Sequence, residues 1–136
     1  MNLSLDFGDS KTPSFKRKIM QNVIIDRKSK YTVTGGYINS LEEVAEYMKD
    51  LLKDKYFQKS SHNTFAYRIK DQNGLILEGK NDDGEVGAGN CILRELQREN
   101  AINTIVVVTR YFGGIHLNTD RFKNVIEATK IFLKEF

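Results

Sequence analysis

The chain has 136 residues, with 40% hydrophobic and 29% charged, which suits one globular domain with one core and excludes a disordered or fibrous polymer. No apolar run approaches the roughly 20 residues needed to cross a bilayer, and no apolar stretch follows the early basic residues as a secretory leader requires. A single cysteine, Cys91, excludes an intrachain disulfide and a cysteine-based zinc site, so a reducing, cytoplasmic setting is expected. The net charge of +3 is uneven: Lys11, Lys16, Arg17, Lys18, Arg27, Lys28 and Lys30 share one stretch in which Asp26 is the only acid. That stretch is either an electrostatic arm for nucleic acid or an acidic partner, or a solvated entry segment without the aromatic platform of single-strand binders.

Residues 1–21 carry no clean period, hold the only proline, Pro13, and read as a flexible basic lead-in. A first strand is expected near 23–37, where Gly35-Gly36 allows a bulge or a turn. Ser40-Leu41-Glu42-Glu43 is a capping box that starts a helix with Leu41, Val44, Ala45, Met48, Leu51 and Leu52 on one face. This helix should end near Lys55, with Tyr56-Phe57 packing after it. Phe65 to Ile69 alternates as a strand, Asp71-Gln72-Asn73-Gly74 supplies turn chemistry, and Leu75 to Gly79 returns. Asn81 to Gly89 is a loop rich in glycine and carboxylates, after which Asn90 can cap a helix through Ile92, Leu93 and Leu96 to about Glu99. Ile105 to Tyr111 is the central strand. A last helix starts near Asp120, with Phe122, Val125, Ile126, Thr129, Leu133 and Phe136 on one face. This order predicts an α+β fold: a two-layer α/β sandwich with a mixed four-stranded sheet and helices on one face.

Two segments concentrate the chemistry. Asp82-Asp83-Gly84-Glu85 places three carboxylates around a glycine. Such a cluster can hold Mg²⁺ or Ca²⁺, can do acid–base work if burial separates the pKa values, or can be a tight turn before a helix N-terminus or a partner surface. The further ligands of a calcium loop are missing. Arg110-Tyr111-Phe112-Gly113-Gly114, with Asp120-Arg121-Phe122-Lys123, supplies the arginine and aromatic types that anchor protein interfaces or stack on RNA bases. The plainer reading puts Phe112 and Phe122 in the core and pairs Arg110 with an acid at 82–85. Gly87-Ala88-Gly89 can cradle phosphate or simply allow close packing, and it lacks a Walker lysine. His62 and His116 are too far apart in sequence for a recognisable metal pair, and Ser60-Ser61-His62 has no nucleophile elbow. No catalytic, metal-binding or cofactor-binding residue is therefore assigned.

Five blocks in order are more specific than any one of them. They are Asp26-Arg27-Lys28-Ser29, His62-Asn63-Thr64-Phe65-Ala66-Tyr67-Arg68-Ile69, Asp82-Asp83-Gly84-Glu85, Val106-Val107-Val108-Thr109-Arg110-Tyr111-Phe112-Gly113-Gly114-Ile115, and Asp120-Arg121-Phe122-Lys123. Together they resemble the Impact domain over about residues 22–136, closer to its eukaryotic than its bacterial branch. The resemblance implies a fold similar to the second domain of the small-ribosomal-subunit protein S-five. It also implies a non-enzymatic regulator of translation that binds the ribosome-associated activator of the general-control kinase and restrains the amino-acid starvation response. That kinase phosphorylates the alpha subunit of translation initiation factor two. Family members are also linked to monomeric actin.

On that resemblance the expected partner surface is His62, Asp82, Asp83, Glu85, Arg110, Tyr111, Asp120, Arg121 and Lys123, on a monomer without cofactors. Two departures stand out. Eukaryotic members usually carry an N-terminal RWD domain, which 21 residues cannot hold, and Leu117-Asn118-Thr119 replaces an expected glycine. The alternative is an RNA- or ribosome-binding domain that uses the basic arm and the last helix, with Lys123, Lys130 and Lys134.

Overall fold

Strand β5 (Thr104–Tyr111) is buried along its whole length up to Tyr111, because its run of valines and isoleucine offers no polar face to turn outward. The computed structural model describes residues 10–136. Around β5 the chain arranges β1 (Lys18–Asp26), β2 (Ser29–Tyr37), α1 (Leu41–Leu51), α2 (Lys55–Gln58), β3 (His62–Lys70), β4 (Ile76–Asn81), α3 (Ala88–Arg98) and α4 (Asp120–Leu133). The sheet order is β1-β2-β5-β3-β4, and every strand pairing is antiparallel. No helix among the described residues is long and apolar enough to cross a membrane.

The two faces of β5 build two cores. Val106 and Val108 join Tyr31, Val33 and Ala66 beneath Ile92 and Leu96 of α3 and Val125, Ala128 and Phe132 of α4. Ile105 and Val107 point the other way and pack with Ile69 under Val44, Tyr47 and Leu51 of α1 and Phe57 of α2. The expected four-stranded mixed sheet with helices on one face is thus corrected. The sheet has five strands, is antiparallel, and carries helices on both faces. A strand hydrophobic on both sides needs two covers.

The extra strand comes from the first hairpin. Residues 23–37 do not form one strand: Arg27 (φ 45°) and Lys28 (φ 71°) take left-handed backbone and turn the chain between β1 and β2. A register shift between Met20 and Ile24, with Asn22 at φ 53°, bulges β1. The domain start expected at 22 therefore falls inside β1. Of the expected lead-in, Phe15 packs edge-on against Phe132 and Phe136, each with ring centroids at 5.9 Å, and Lys11 bridges to Ala101. Residues 1–9 lie outside the described residues.

Half of the expected capping box forms, with Ser40 Oγ accepting from the Glu43 N–H at 3.1 Å, while Glu43 Oε1 reaches one residue further back and accepts from the Asn39 N–H at 2.7 Å. The buried face of α1 is Val44, Tyr47 and Leu51, and Leu41 and Leu52 are exposed. Tyr47 faces inward because its hydroxyl meets Thr34 Oγ1 at 2.9 Å. In α4 it is Phe132, rather than Phe122, that fills the core.

Gly35 and Gly36 make neither bulge nor turn but lie within β2. A side chain on Gly35 would meet the Ile105 carbonyl and the Phe132 ring. Gly35→Ala is expected to lower stability by about 1–3 kcal/mol through overpacking, measured as a shift in the urea midpoint at unchanged slope.

Candidate functional site

Alternation along β5 decides what its end presents. Arg110 shares a face with Val106 and Val108 and stands in register with Tyr31 on β2 and His62 on β3. The guanidinium thus emerges where the α3–α4 core stops, and its carbon lies 5.8 Å from the Tyr31 ring centroid.

The loop between β4 and α3 closes over it. Asp82 carries the start of α3: its two carboxylate oxygens accept from the N–H groups of Gly87 at 3.0 Å and Gly89 at 2.7 Å. These backbone donors, Gly87 first, hold the Asp82 carboxyl below its ordinary pKa of 3.8. The helix therefore begins at Ala88, with Gly87 as cap residue, rather than under the expected Asn90 cap. Asp83, at φ 48°, accepts from the Asn63 N–H at 2.6 Å and offers its carbonyl to His62 Nδ1 at 2.8 Å.

This turn drives Glu85 inward, where it is 4% exposed. Arg110, 6% exposed, donates Nη1–H to Glu85 Oε1 at 2.5 Å. Arg121 Nε lies 3.7 Å from the same oxygen, and His62 Nε2 lies 3.9 Å from Oε2. The expected pairing of Arg110 with an acid at 82–85 is present, and its partner is Glu85. Arg110 Nε has no hydrogen-bond partner among the described residues.

These groups floor an open cleft of about 430 Å³, whose walls include Ser61, Val86, Phe112 and His116. Phe112 is 44% exposed and lies 5.3 Å, centroid to centroid, from His116, so it is not the core residue that the plainer reading made it. Val86 (76%) and Ile115 (44%) are exposed as well. Gly113 lets this loop approach the β1–β2 turn, since a side chain there would meet the Lys28 backbone.

Of the nine residues expected on one surface, the fold brings His62, Glu85, Arg110 and Arg121 to the cleft. Asp82 and Asp83 are bound beneath it as loop and cap groups. Tyr111 points to the opposite face of β5, with its hydroxyl on the Tyr56 carbonyl. Asp120 accepts from Arg27 Nη2 at 2.5 Å, and Arg27 in turn binds Asp26. Lys123 is exposed and is not part of the cleft wall. Sequence reasoning missed Val86 and His116 as wall residues. The one available signal was an apolar residue set directly after a carboxylate loop.

The expected glycine after Leu117 is met differently. Asn118 takes φ 54°, left-handed backbone that asparagine tolerates better than most residues, and its carbonyl accepts from Arg121 Nη1 at 3.2 Å.

The family model of the Impact N-terminal domain matches residues 27–133. The chain belongs to the Impact family. The IMPACT homolog of Schizosaccharomyces pombe is 42% identical over 107 residues, which are 79% of this chain and 38% of that protein. Among solved structures, the two-domain translational regulator Yih1 is 32% identical with a TM-score of 0.57, over 96% of this chain and 52% of that one. A hypothetical protein superposes with a TM-score of 0.78 at 21% identity, over 91% of this chain and 59% of that one, a likeness of fold alone. The Impact chain described here thus spans 38% of the fission-yeast relative's length and about half of the Yih1 chain.

Two outcomes follow from this electrostatics. Arg110→Glu should cost about 3–5 kcal/mol by stranding Glu85, whereas Arg110→Met combined with Glu85→Leu should cost much less, as urea melts of these variants would show. Asp82→Ala should cost about 1 kcal/mol at pH 7. Because the folded carboxyl titrates below its unfolded value of 3.8, that contribution is complete above this value and disappears as pH falls through the folded pKa. The stability gap between wild type and Asp82→Ala should therefore hold from pH 7 to about 5 and close in acid.

Proposed function

We propose that this Impact domain is a non-enzymatic regulator of translation that acts in the cytoplasm by occupying a protein partner. The observation that carries this reading is the likeness to the translational regulator Yih1, at 32% identity across 96% of the chain. The partner proposed is the ribosome-associated activator of the general-control kinase. Holding it keeps the kinase from being switched on and so restrains the starvation response.

The cleft supports a protein-binding reading. It combines a charged floor with exposed Val86 and Phe112, the mixture of arginine, aromatic and aliphatic groups that anchors protein interfaces. Asp82 is spent on the α3 N-terminus. The surface then reads as a preformed dock: backbone at both ends is fixed by hydrogen bonds, and only the rim side chains are open.

The test is an affinity pull-down from cell extract with the wild-type chain and an Arg121→Glu variant checked for folding by thermal melting, at low and high salt. The regulator reading expects the activator to be retained at high salt by wild type and lost from the variant. Recovery of only ribosomal RNA and ribosomal proteins, released by salt, would overturn it in favour of phosphate-backbone binding by the basic arm and Lys123, Lys130 and Lys134.

A further inference from the structure

The cleft is short of negative charge. Arg110 and Arg121 contribute two guanidiniums to its floor and Glu85 one carboxylate, which leaves one positive charge from these three groups. The nearby acids lie outside the cleft lining: Asp83 is turned to the Asn63 N–H, and Asp120 pairs with Arg27.

The donors are unspent as well. Arg110 is 6% exposed, yet its Nε–H has no hydrogen-bond partner among the described residues, and Nη2 reaches only Ser29 Oγ, at 3.5 Å. A buried charged donor left unpaired is costly, and it marks a place where an acceptor from outside would be welcome. Arg121 Nε lies 3.7 Å from Glu85, beyond hydrogen-bonding distance, and its side chain is 37% exposed. The guanidinium fork suits a planar two-oxygen acceptor.

Around this floor stand Val86 at 76% and Phe112 at 44% exposure, large apolar side chains from two different loops. A bare inorganic anion would leave them wet. A ligand with an anionic group beside an apolar one would cover both. The fixed Glu85 carboxylate disfavours a phosphate chain, because each further negative charge meets it at short range.

We infer that the cleft binds the side-chain carboxylate of an acidic residue followed by an aromatic or aliphatic residue in a protein partner. The carboxylate sits against Arg121 and Arg110 Nε, and the apolar neighbour sits on Phe112 and Val86. This inference rests on the protein-partner reading above and gives that partner a chemistry.

The experiment is a nitrogen–proton NMR titration of the whole chain, read at the Nε–H signals of Arg110 and Arg121 and at the backbone amides of Val86 and Phe112. The probes are acetyl-glutamyl-phenylalanine amide, its glutaminyl twin, inorganic phosphate and a short uridine oligonucleotide. The acidic dipeptide is expected to shift all four signals saturably at about millimolar concentration, the strength of a small fragment. The glutaminyl twin and the Arg121→Gln variant are each expected to bind about tenfold more weakly, as loss of a charge-assisted pair implies.

Equal binding of the glutaminyl twin, stronger displacement of the same signals by phosphate or the oligonucleotide, or no shift with the acidic dipeptide would each overturn the inference. The two readings fail separately. An activator retained in the pull-down without dipeptide binding leaves the regulator and removes this chemistry. Dipeptide binding without the activator does the reverse.

Discussion

A carboxylate that is 4% exposed must be neutralised where it lies, and most of this end of the molecule is arranged around that need at Glu85. Taking either ion out of water costs several kcal/mol, which only close pairing and added hydrogen bonds offset. Arg110 supplies the pairing from the end of β5, with its position set by strand alternation and its guanidinium beside the Tyr31 ring. Arg121 Nε and His62 Nε2 stand farther off, at 3.7 and 3.9 Å, and make no hydrogen bond to Glu85. The pair ties β5, the acidic loop and the start of α4 to a single point. Charge thereby draws together three segments that are far apart in sequence.

The same loop serves α3, which is held at both ends by side chains from the sheet region. Asp82 receives the N-terminal N–H groups, and at the far end Arg68 donates to the carbonyls of Leu96 and Ala101 while its Nε binds Glu78 at 2.9 Å. Each charge opposes the partial charge of the helix terminus it meets. Both ends of α3 are thus tied to the sheet region by charged side chains.

Features with a local code were legible in the sequence. The Ser40 cap, the turn at Asp71 to Gly74 and the pairing of Arg110 with the acidic loop all depend on neighbours or on one obvious opposite charge. Features decided across the sheet were not. Arg27-Lys28 is a turn without glycine or asparagine, so the first hairpin was hidden, and the Asn22 bulge broke the alternation that would have exposed β1. Phe122 and Phe132 lie on similar faces of α4, and only the hollow over Gly35 selects Phe132. The run of apolar residues in β5 did carry the information that helices cover both sides, since such a strand has no face suited to water. Of the cleft, the charged floor was readable and the apolar rim was not, because exposure of Val86 and Phe112 depends on where the loops come to rest.

The Asn22 bulge has a consequence for how copies of this chain meet. β1 is an outer strand of the sheet, and the exposed side chains of Ile19 and Ile25 would make it attractive to another unpaired strand. The extra residues between Met20 and Ile24 twist the backbone out of line midway, and the Asn22 N–H is turned to Thr32 Oγ1 at 3.1 Å. A second strand laid alongside would find its ladder interrupted after a few residues. The irregularity that concealed β1 in the sequence thus also acts as a guard against continuous edge-to-edge growth of the sheet into aggregates.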